Sequence, residues 1–467
     1  MRRRRLALLQ PALAVLLVAV VTAGLLAAWS SGRLNQAICG GDCGPEHVVA
    51  PAGLRPAPAG EARADAAAAS PTDLEGVLTA ARSDLSADVL GDDVGLAIGS
   101  TAPGAPVLTE GDGTHVPAST TKLLTGFTAL TVLDPGQRFA TTAVLDGDHL
   151  VLVGGGDPYL TDRRSDDDPG VVRADLATLA RQVAGRLERS GTTRVTLGYD
   201  DTLFEGPSVS PGWPSTYVRD DVVTPISPLW VDRGMVDTSQ PETTPRVAEP
   251  AQDAAERFAA LLRDRGIEVR GAVERTTAPA GASRLGVVRS ATVGRIVEQM
   301  VRTSDDEAAE VLLRQSARAA GEPASFPGGA RVVAATVRDA GIDVDGLHLD
   351  DGSGLARTNR ISPTTLVEVV RAALASGRTA PVVDDLPVSG FSGTLAQRFD
   401  RAARGLVRAK TGTLTGVHSL AGVALDRDGR PVVFAVMADA TDRTQPFAAQ
   451  AAVDRVAAAI ADCPCGS

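Results

Sequence analysis

Apolar positions along this chain keep two rhythms, one of three to four residues and one of two, after an opening stretch that keeps neither. In "TDLEGVLTAARSDL" the residues Leu74, Val77, Leu78 and Ala81 fall on one helical face, and "VGLAIGS" just after it has the makings of a short strand. The stretch "STTKLLTGFTALTVL" sets Leu123, Leu124, Phe127, Leu130 and Leu133 on an apolar stripe of helical period. From 139 to 286 short β-like runs such as "ATTAVLDGDHLVLVGGGDPYL", "TTRVTLGYDDTLF" and "VVTPISPLWVD" alternate with the helical pieces "ADLATLARQVAGRLERSG" and "QDAAERFAALLRDRG". Helical phase returns with Val293, Ile296, Val297, Met300 and Val301, then breaks between Thr303 and Asp306, which predicts a corner between two helices. Alternating residues around the turn signal "DRDG" predict an antiparallel hairpin, with Lys410 on its first strand or just before it. A last amphipathic helix, "QPFAAQAAVDRVAAAIAD", is expected to pack back on that sheet, giving an α+β chain.

The opening stretch changes the picture. Four arginines precede an uncharged apolar run over 6–29, broken only by Gln10, Pro11 and Thr22. This is an export signal. Its length favours an uncleaved anchor, with a cleaved signal peptide as the alternative, so 1–30 is read as signal peptide or signal anchor. Residues 31–70 are rich in Ala, Pro and Gly without period, as in a tether outside the cytoplasm. Four cysteines sit at the chain ends, Cys39 and Cys43 in "CGGDC" and Cys463 and Cys465 in "CPC". Outside the cytoplasm disulfides are expected, their connectivity open among three pairings, with zinc binding as the other reading. A net charge of -11 and a pI near 5.1 argue against nucleic acid as a partner.

Candidate chemistry begins with a scarcity. Of 46 lysines and arginines only Lys122 and Lys410 are lysines, and each lies in a short motif with hydroxyl and glycine neighbours. A guanidinium keeps its proton in a protein, whereas an amine can be desolvated until it serves as a base. Ser119 and Lys122, three apart at a predicted helix start, give a nucleophile with its base beside it. "KTG" offers a cation at Lys410, the hydroxyl of Thr411, and a glycine, Gly412, that permits close approach to the backbone, with Thr413 next to it. "TSDD" adds Ser304 and Asp306, although alone it reads as a helix N-cap at Ser304 or Asp305. The five histidines form no His-x-x-x-His pair, and His418 is read as a strand residue. "GGGDP" lacks the lysine of a phosphate loop, and Ser353 in "DGSGL" is read as a loop near the site.

The order Ser-x-x-Lys, Ser-Asp-Asn-like, Lys-Thr-Gly resembles that of penicillin-binding proteins and serine β-lactamases. The 185 positions from Ser119 to Ser304 are too many for a plain β-lactamase. The chain is similar to class C penicillin-binding proteins, the D-alanyl-D-alanine carboxypeptidases/endopeptidases of peptidase family S13. Further matches are "LVGGGDPYL", "LPVSGFSGTLAQRF" and "VRAKTGTLTGVHSLAG". That resemblance implies an antiparallel sheet flanked by helices, with catalytic parts at 71–138 and 287–462 interrupted by an inserted α+β region at 139–286, and a Cys-containing tail at 463–467. It implies no cofactor and no metal, peptidoglycan stem peptides ending in D-Ala-D-Ala as substrate, β-lactams as inhibitors, and a place in the cell envelope. Ser119 would form the acyl-enzyme and Lys122 would be its base. Ser304 would relay a proton with Lys410, Thr411 and Thr413 would hold the substrate carboxylate, and the N–H groups of Ser119 and Thr413 would bind the oxyanion. One position departs from the family pattern: Asp306 stands where Asn is usual. Asn can donate to a substrate carbonyl, an ionised Asp only accepts, and Asp306 brings a negative charge beside Lys122. A β-lactamase-like hydrolase, or a non-catalytic muropeptide-binding envelope protein if Asp306 disables the site, are the alternatives.

Overall fold

A computed structural model describes residues 74–164, 171–238, 244–399 and 403–464. Its first sheet takes two strands from the early chain, β1 (Val94–Ser100) and β2 (Val107–Glu110), and three from the end, β8 (Val407–Leu414), β9 (Val417–Leu425) and β10 (Pro431–Ala438). The order is β2-β1-β10-β9-β8 and every neighbouring pair is antiparallel. Because successive side chains point to opposite faces, β10 serves two layers at once. Val432, Phe434, Val436 and Ala438 pack with helices α1 (Leu74–Leu85) and α10 (Pro446–Ala461). Val433, Ala435 and Met437 face the opposite core, which holds α2 (Thr121–Val132) and α8 (Pro363–Leu374). The last helix therefore packs on the sheet as its pattern predicts.

The second sheet is built from the middle of the chain: β3 (Arg138–Asp146), β4 (His149–Val153), β5 (Arg194–Asp200), β6 (Glu268–Arg275) and β7 (Ser283–Thr292), in the order β6-β5-β4-β3-β7. β3 is antiparallel to β4 and β7, while β4–β5 and β5–β6 are parallel. Parallel neighbours need crossovers, and helices α3 (Leu176–Arg189) and α4 (Pro250–Arg263) lie in them, burying Leu179, Val183, Phe258 and Leu262 against the sheet. This is the α+β insertion between the two halves of the first sheet.

The "DRDG" hairpin joins β9 to β10, and Lys410 lies just before it, on β8, which a tight turn at Gly416 (φ +76°) connects to β9. One local expectation is corrected. "VVTPISPLWVD" is not a strand. Val223, Ile226, Leu229, Trp230 and Val231 are buried, but Pro225 and Pro228 supply no N–H to a ladder. The corner is where the phase break puts it: α5 (Val293–Thr303) ends at Ser304, in left-handed conformation (φ +61°), and Asp305, not Ser304, caps α6 (Asp306–Ala319), accepting from the Ala308 N–H at 2.9 Å. The N-terminal apolar run and Cys39, Cys43 and Cys465 lie outside the described residues; Cys463 is buried beside α10. Among the described residues no helix is long and apolar enough to cross a membrane.

Candidate active site

The residues 117–120 make a tight turn that feeds α2, and several contacts lock it. The Pro117 carbonyl accepts from the hydroxyls of Thr120 (2.7 Å) and Ser419 (2.6 Å), and the Ala118 carbonyl accepts from Thr121 Oγ1 (2.9 Å). Ala118 is held at φ +47°, a conformation a non-glycine residue adopts only under such constraint. Ser119 follows it, half-buried at the helix entrance, and Lys122 lies one turn on. Lys122 Nζ is 3.0 Å from Ser119 Oγ.

Lys122 is fully buried, and its Nζ has two further partners from distant parts of the chain: Asp306 Oδ1 at 2.6 Å and the Ser353 carbonyl at 2.7 Å. With protons directed to those two acceptors, the remaining tetrahedral direction faces the Ser119 hydroxyl. A neutral amine in this setting has its lone pair toward Oγ, the arrangement a general base requires. Asp306 opposes that state, since its carboxylate stabilises the ammonium.

Ser304 and Lys410 form a second pair. Lys410 Nζ donates to Ser304 Oγ at 2.7 Å and to the Thr411 carbonyl at 2.8 Å. It is fully buried, and burial first, then the nearby Lys122 charge, push its amine well below the ordinary lysine range. Thr411 is buried with its hydroxyl 2.9 Å from Thr394 Oγ1, and Thr413 is exposed at the end of β8. Gly412 is a packing necessity. A Cβ there would stand 2.1 Å from Ser419 Oγ and 2.6 Å from the Pro117 carbonyl, so only glycine lets β8 and the nucleophile turn meet. Ser119, Lys122 and Asp306 are thus brought into one contact set and Ser304 with Lys410 into another.

Sequence reasoning missed the layer beneath these groups. The Ser353 carbonyl reaches Lys122 because the loop 351–356 wraps buried carboxyls. Glu310 accepts from the N–H groups of Gly352 (3.0 Å) and Ser353 (2.7 Å), and Asp351 from those of Gly354 (2.9 Å) and Ala356 (2.7 Å) and from Trp213 Nε1 (2.7 Å). Burial raises the Glu310 carboxyl to about 8. The start of α6 is fixed from the insertion: Arg233 pairs with Asp305 at 2.5 Å, and Arg246 with Glu307 at 3.3 Å. The only signal for these roles was the string "DGSGL", which carries no hint that a carbonyl is its working atom. His418 lies on β9 with its Nδ1 3.1 Å from Thr441 Oγ1, a strand residue as read. A cavity of about 980 Å³ opens elsewhere, between Asp112, Ile342 and Thr365, and touches none of the motif residues; chemistry rather than volume locates the site.

The chain is similar to known proteins along most of its length. The profile of the D-Ala-D-Ala carboxypeptidase 3 (S13) family matches residues 78–245 and 237–460. Carboxypeptidase DacB of Mycolicibacterium smegmatis is 34% identical over 473 residues, covering 98% of this chain and 96% of that protein. A D-alanyl-D-alanine carboxypeptidase of an Actinomadura species is 28% identical over 443 residues, covering 77% and 80%. Among solved structures, penicillin binding protein 4 of Haemophilus influenzae superposes with a TM-score of 0.66 at 20% identity, over 81% of this chain and 98% of that one, a likeness of fold; it has also been solved with a β-lactam bound.

Proposed function

The chain belongs to the D-Ala-D-Ala carboxypeptidase 3 (S13) family, and from that premise we propose a specific division of labour among its residues. The protein is a penicillin-binding serine carboxypeptidase of the cell wall, acting on peptidoglycan peptides that end in D-Ala-D-Ala. Ser119 Oγ attacks the carbonyl of the penultimate D-Ala while its proton passes to Lys122 Nζ. The observation that carries this reading is the single contact of 3.0 Å between a fully buried amine and a half-buried hydroxyl. The N–H groups of Ser119 and Thr413 receive the developing oxyanion. Ser304, held by Lys410, relays to the departing D-Ala amine the proton that left Ser119, so that Lys122 and Ser304 end the step as they began it, and Thr411 and Thr413 receive the substrate carboxylate. Water then cleaves the ester on Ser119.

Such a substrate lies outside the cytoplasmic membrane. The four arginines and the apolar run 6–29 support export or anchoring, and the Ala/Pro-rich 31–70 supports a tether between that segment and the catalytic halves at 71–138 and 287–462. The ion pair between Asp306 and Lys122 favours a second reading, a muropeptide-binding protein with a disabled base. Intact-mass analysis after incubation with benzylpenicillin, alongside Ser119→Ala, separates the two. One stable adduct on the wild type and none on the variant supports the serine enzyme, and release of D-Ala from a pentapeptide completes the case. No adduct on the wild type at any pH between 6 and 10 sinks it.

A further inference from the structure

A second cluster of ligand-type atoms lies at one end of the first sheet, outside the Ser119–Lys122–Asp306 contact set. β1 and β10 pair with Val94 opposite Ala438, so the residues just past that register, Asp93 and Asp439, emerge at the same end. His115 is pinned there by reciprocal backbone hydrogen bonds with Ile361, at 3.0 and 3.1 Å. Its Nδ1 stands 3.3 Å from Asp93 Oδ1 and 3.7 Å from Asp439 Oδ1. The ring is only 1% exposed, yet neither of its nitrogens makes a well-aligned hydrogen bond, Nδ1 being only within ion-pair reach of the two carboxylates. Buried polar groups are rarely left so, because an unmade hydrogen bond costs about 1–3 kcal/mol. Nε2 faces inward, where a Cβ on Gly95 would meet it at 2.5 Å, so Nδ1 alone is aimed at the two carboxylates.

The spacing is that of a coordination shell. Two ligands each about 2.1 Å from a tetrahedral ion lie about 3.4 Å apart, close to both measured separations. All three candidate ligand atoms lie within 4.8 Å of one another. One imidazole with two carboxylates suits a borderline transition metal better than calcium or magnesium, which prefer an all-oxygen shell. The Asp93 side chain is 62% exposed, leaving room on that side for water ligands. We propose that Asp93, His115 and Asp439 bind a divalent cation of the zinc class. Asp439 is already oriented for it, since its Oδ2 accepts the Val116 N–H at 2.8 Å. The ion would thereby fasten the segment that leads through Val116 and Pro117 into the nucleophile turn.

The test uses the full-length protein, stripped with a chelator and titrated calorimetrically with Zn²⁺, and Co²⁺ as a spectroscopic probe. One ion per chain is expected. Asp93→Asn, at an exposed position that leaves the fold intact, should weaken uptake at least about tenfold, as should His115→Gln. Bound Co²⁺ should give visible d–d bands without thiolate charge transfer, which separates this site from the cysteines at the chain ends. Absence of stoichiometric uptake would overturn the proposal in favour of a plain imidazolium–carboxylate cluster. Uptake that Asp93→Asn leaves unchanged, or a thiolate spectrum, would overturn it equally. Should His115→Gln fail to fold, Asp93→Asn decides alone.

Discussion

Asp306→Asn is the substitution on which the site chemistry turns. In the wild type its carboxylate lies 2.6 Å from Lys122 Nζ. At that distance and an effective dielectric near 20, the attraction between unit charges is about 6 kcal/mol, an upper bound because the Asp306 side chain is 24% exposed and water screens it. A lower bound comes from hydrogen bonding. A bond to a charged acceptor is worth about 1.5–3 kcal/mol and one to a neutral acceptor about 0.5–1.5, a difference of about 1–1.5. Lys122 can take the proton of Ser119 only as the free amine, so whatever the carboxylate adds to the ammonium must be surrendered before acylation. With about 1.4 kcal/mol per tenfold, Asn should raise the second-order rate of benzylpenicillin acylation by roughly fivefold or more near neutral pH. Asn also supplies a donor for the substrate carbonyl that Asp lacks, so D-Ala release should rise as well. Asp306→Ala removes the charge without adding the donor, and should fall between the two. The assay is a time course of adduct formation by intact mass under pseudo-first-order conditions. An Asn variant that acylates no faster than wild type would show that the ion pair does not limit the reaction, and the reasoning would fail.

Three further outcomes are expected. Gly412→Ala forces a Cβ to 2.1 Å from Ser419 Oγ and 2.6 Å from the Pro117 carbonyl; it should cost about 1–3 kcal/mol of stability, read as a lowered Tm, and slow acylation by shifting Ser119. Glu310 is raised by burial from 4.5 to about 8, so the stability its neutral carboxyl contributes is complete below 4.5 and lost as pH rises through 8. The Tm of wild type minus that of Glu310→Gln should therefore shrink across this window and level off above it. Lys410 is held well below its ordinary 10.5, so keeping it neutral in the fold costs more as pH falls through that range, where the unfolded chain binds the proton and the fold does not. Lys410→Met should abolish acylation, and its Tm relative to wild type should be more favourable at pH 6 than at pH 10; a constant difference would contradict the burial argument.

Much of this protein was legible in one dimension because the relevant physics is local. Helical period fixed Lys122 one turn after Ser119, and that spacing alone makes their contact possible. The loss of phase at Thr303–Asp306 announced the corner whose left-handed residue is Ser304. A scarcity of lysine marked both amines, and the long gap between motifs announced the insertion. "VVTPISPLWVD" misled because burial and strand pairing are separate demands: its apolar residues satisfy the first, and Pro225 and Pro228 defeat the second.

What tertiary structure decided are the contacts between residues far apart in the chain. That the Ser353 carbonyl reaches Lys122, that Glu310 and Asp351 hold the loop carrying it, and that Gly412 makes room for Pro117 follow only when strands and helices are laid against one another. Asp93 and Asp439 are neighbours solely through the β1–β10 register. Sequence determined which elements form and which side chains can do chemistry, since periodicity and side-chain character act over a few residues. Packing determined which of those side chains meet, because proximity between distant segments is set by burial of the whole apolar surface and leaves no short-range trace.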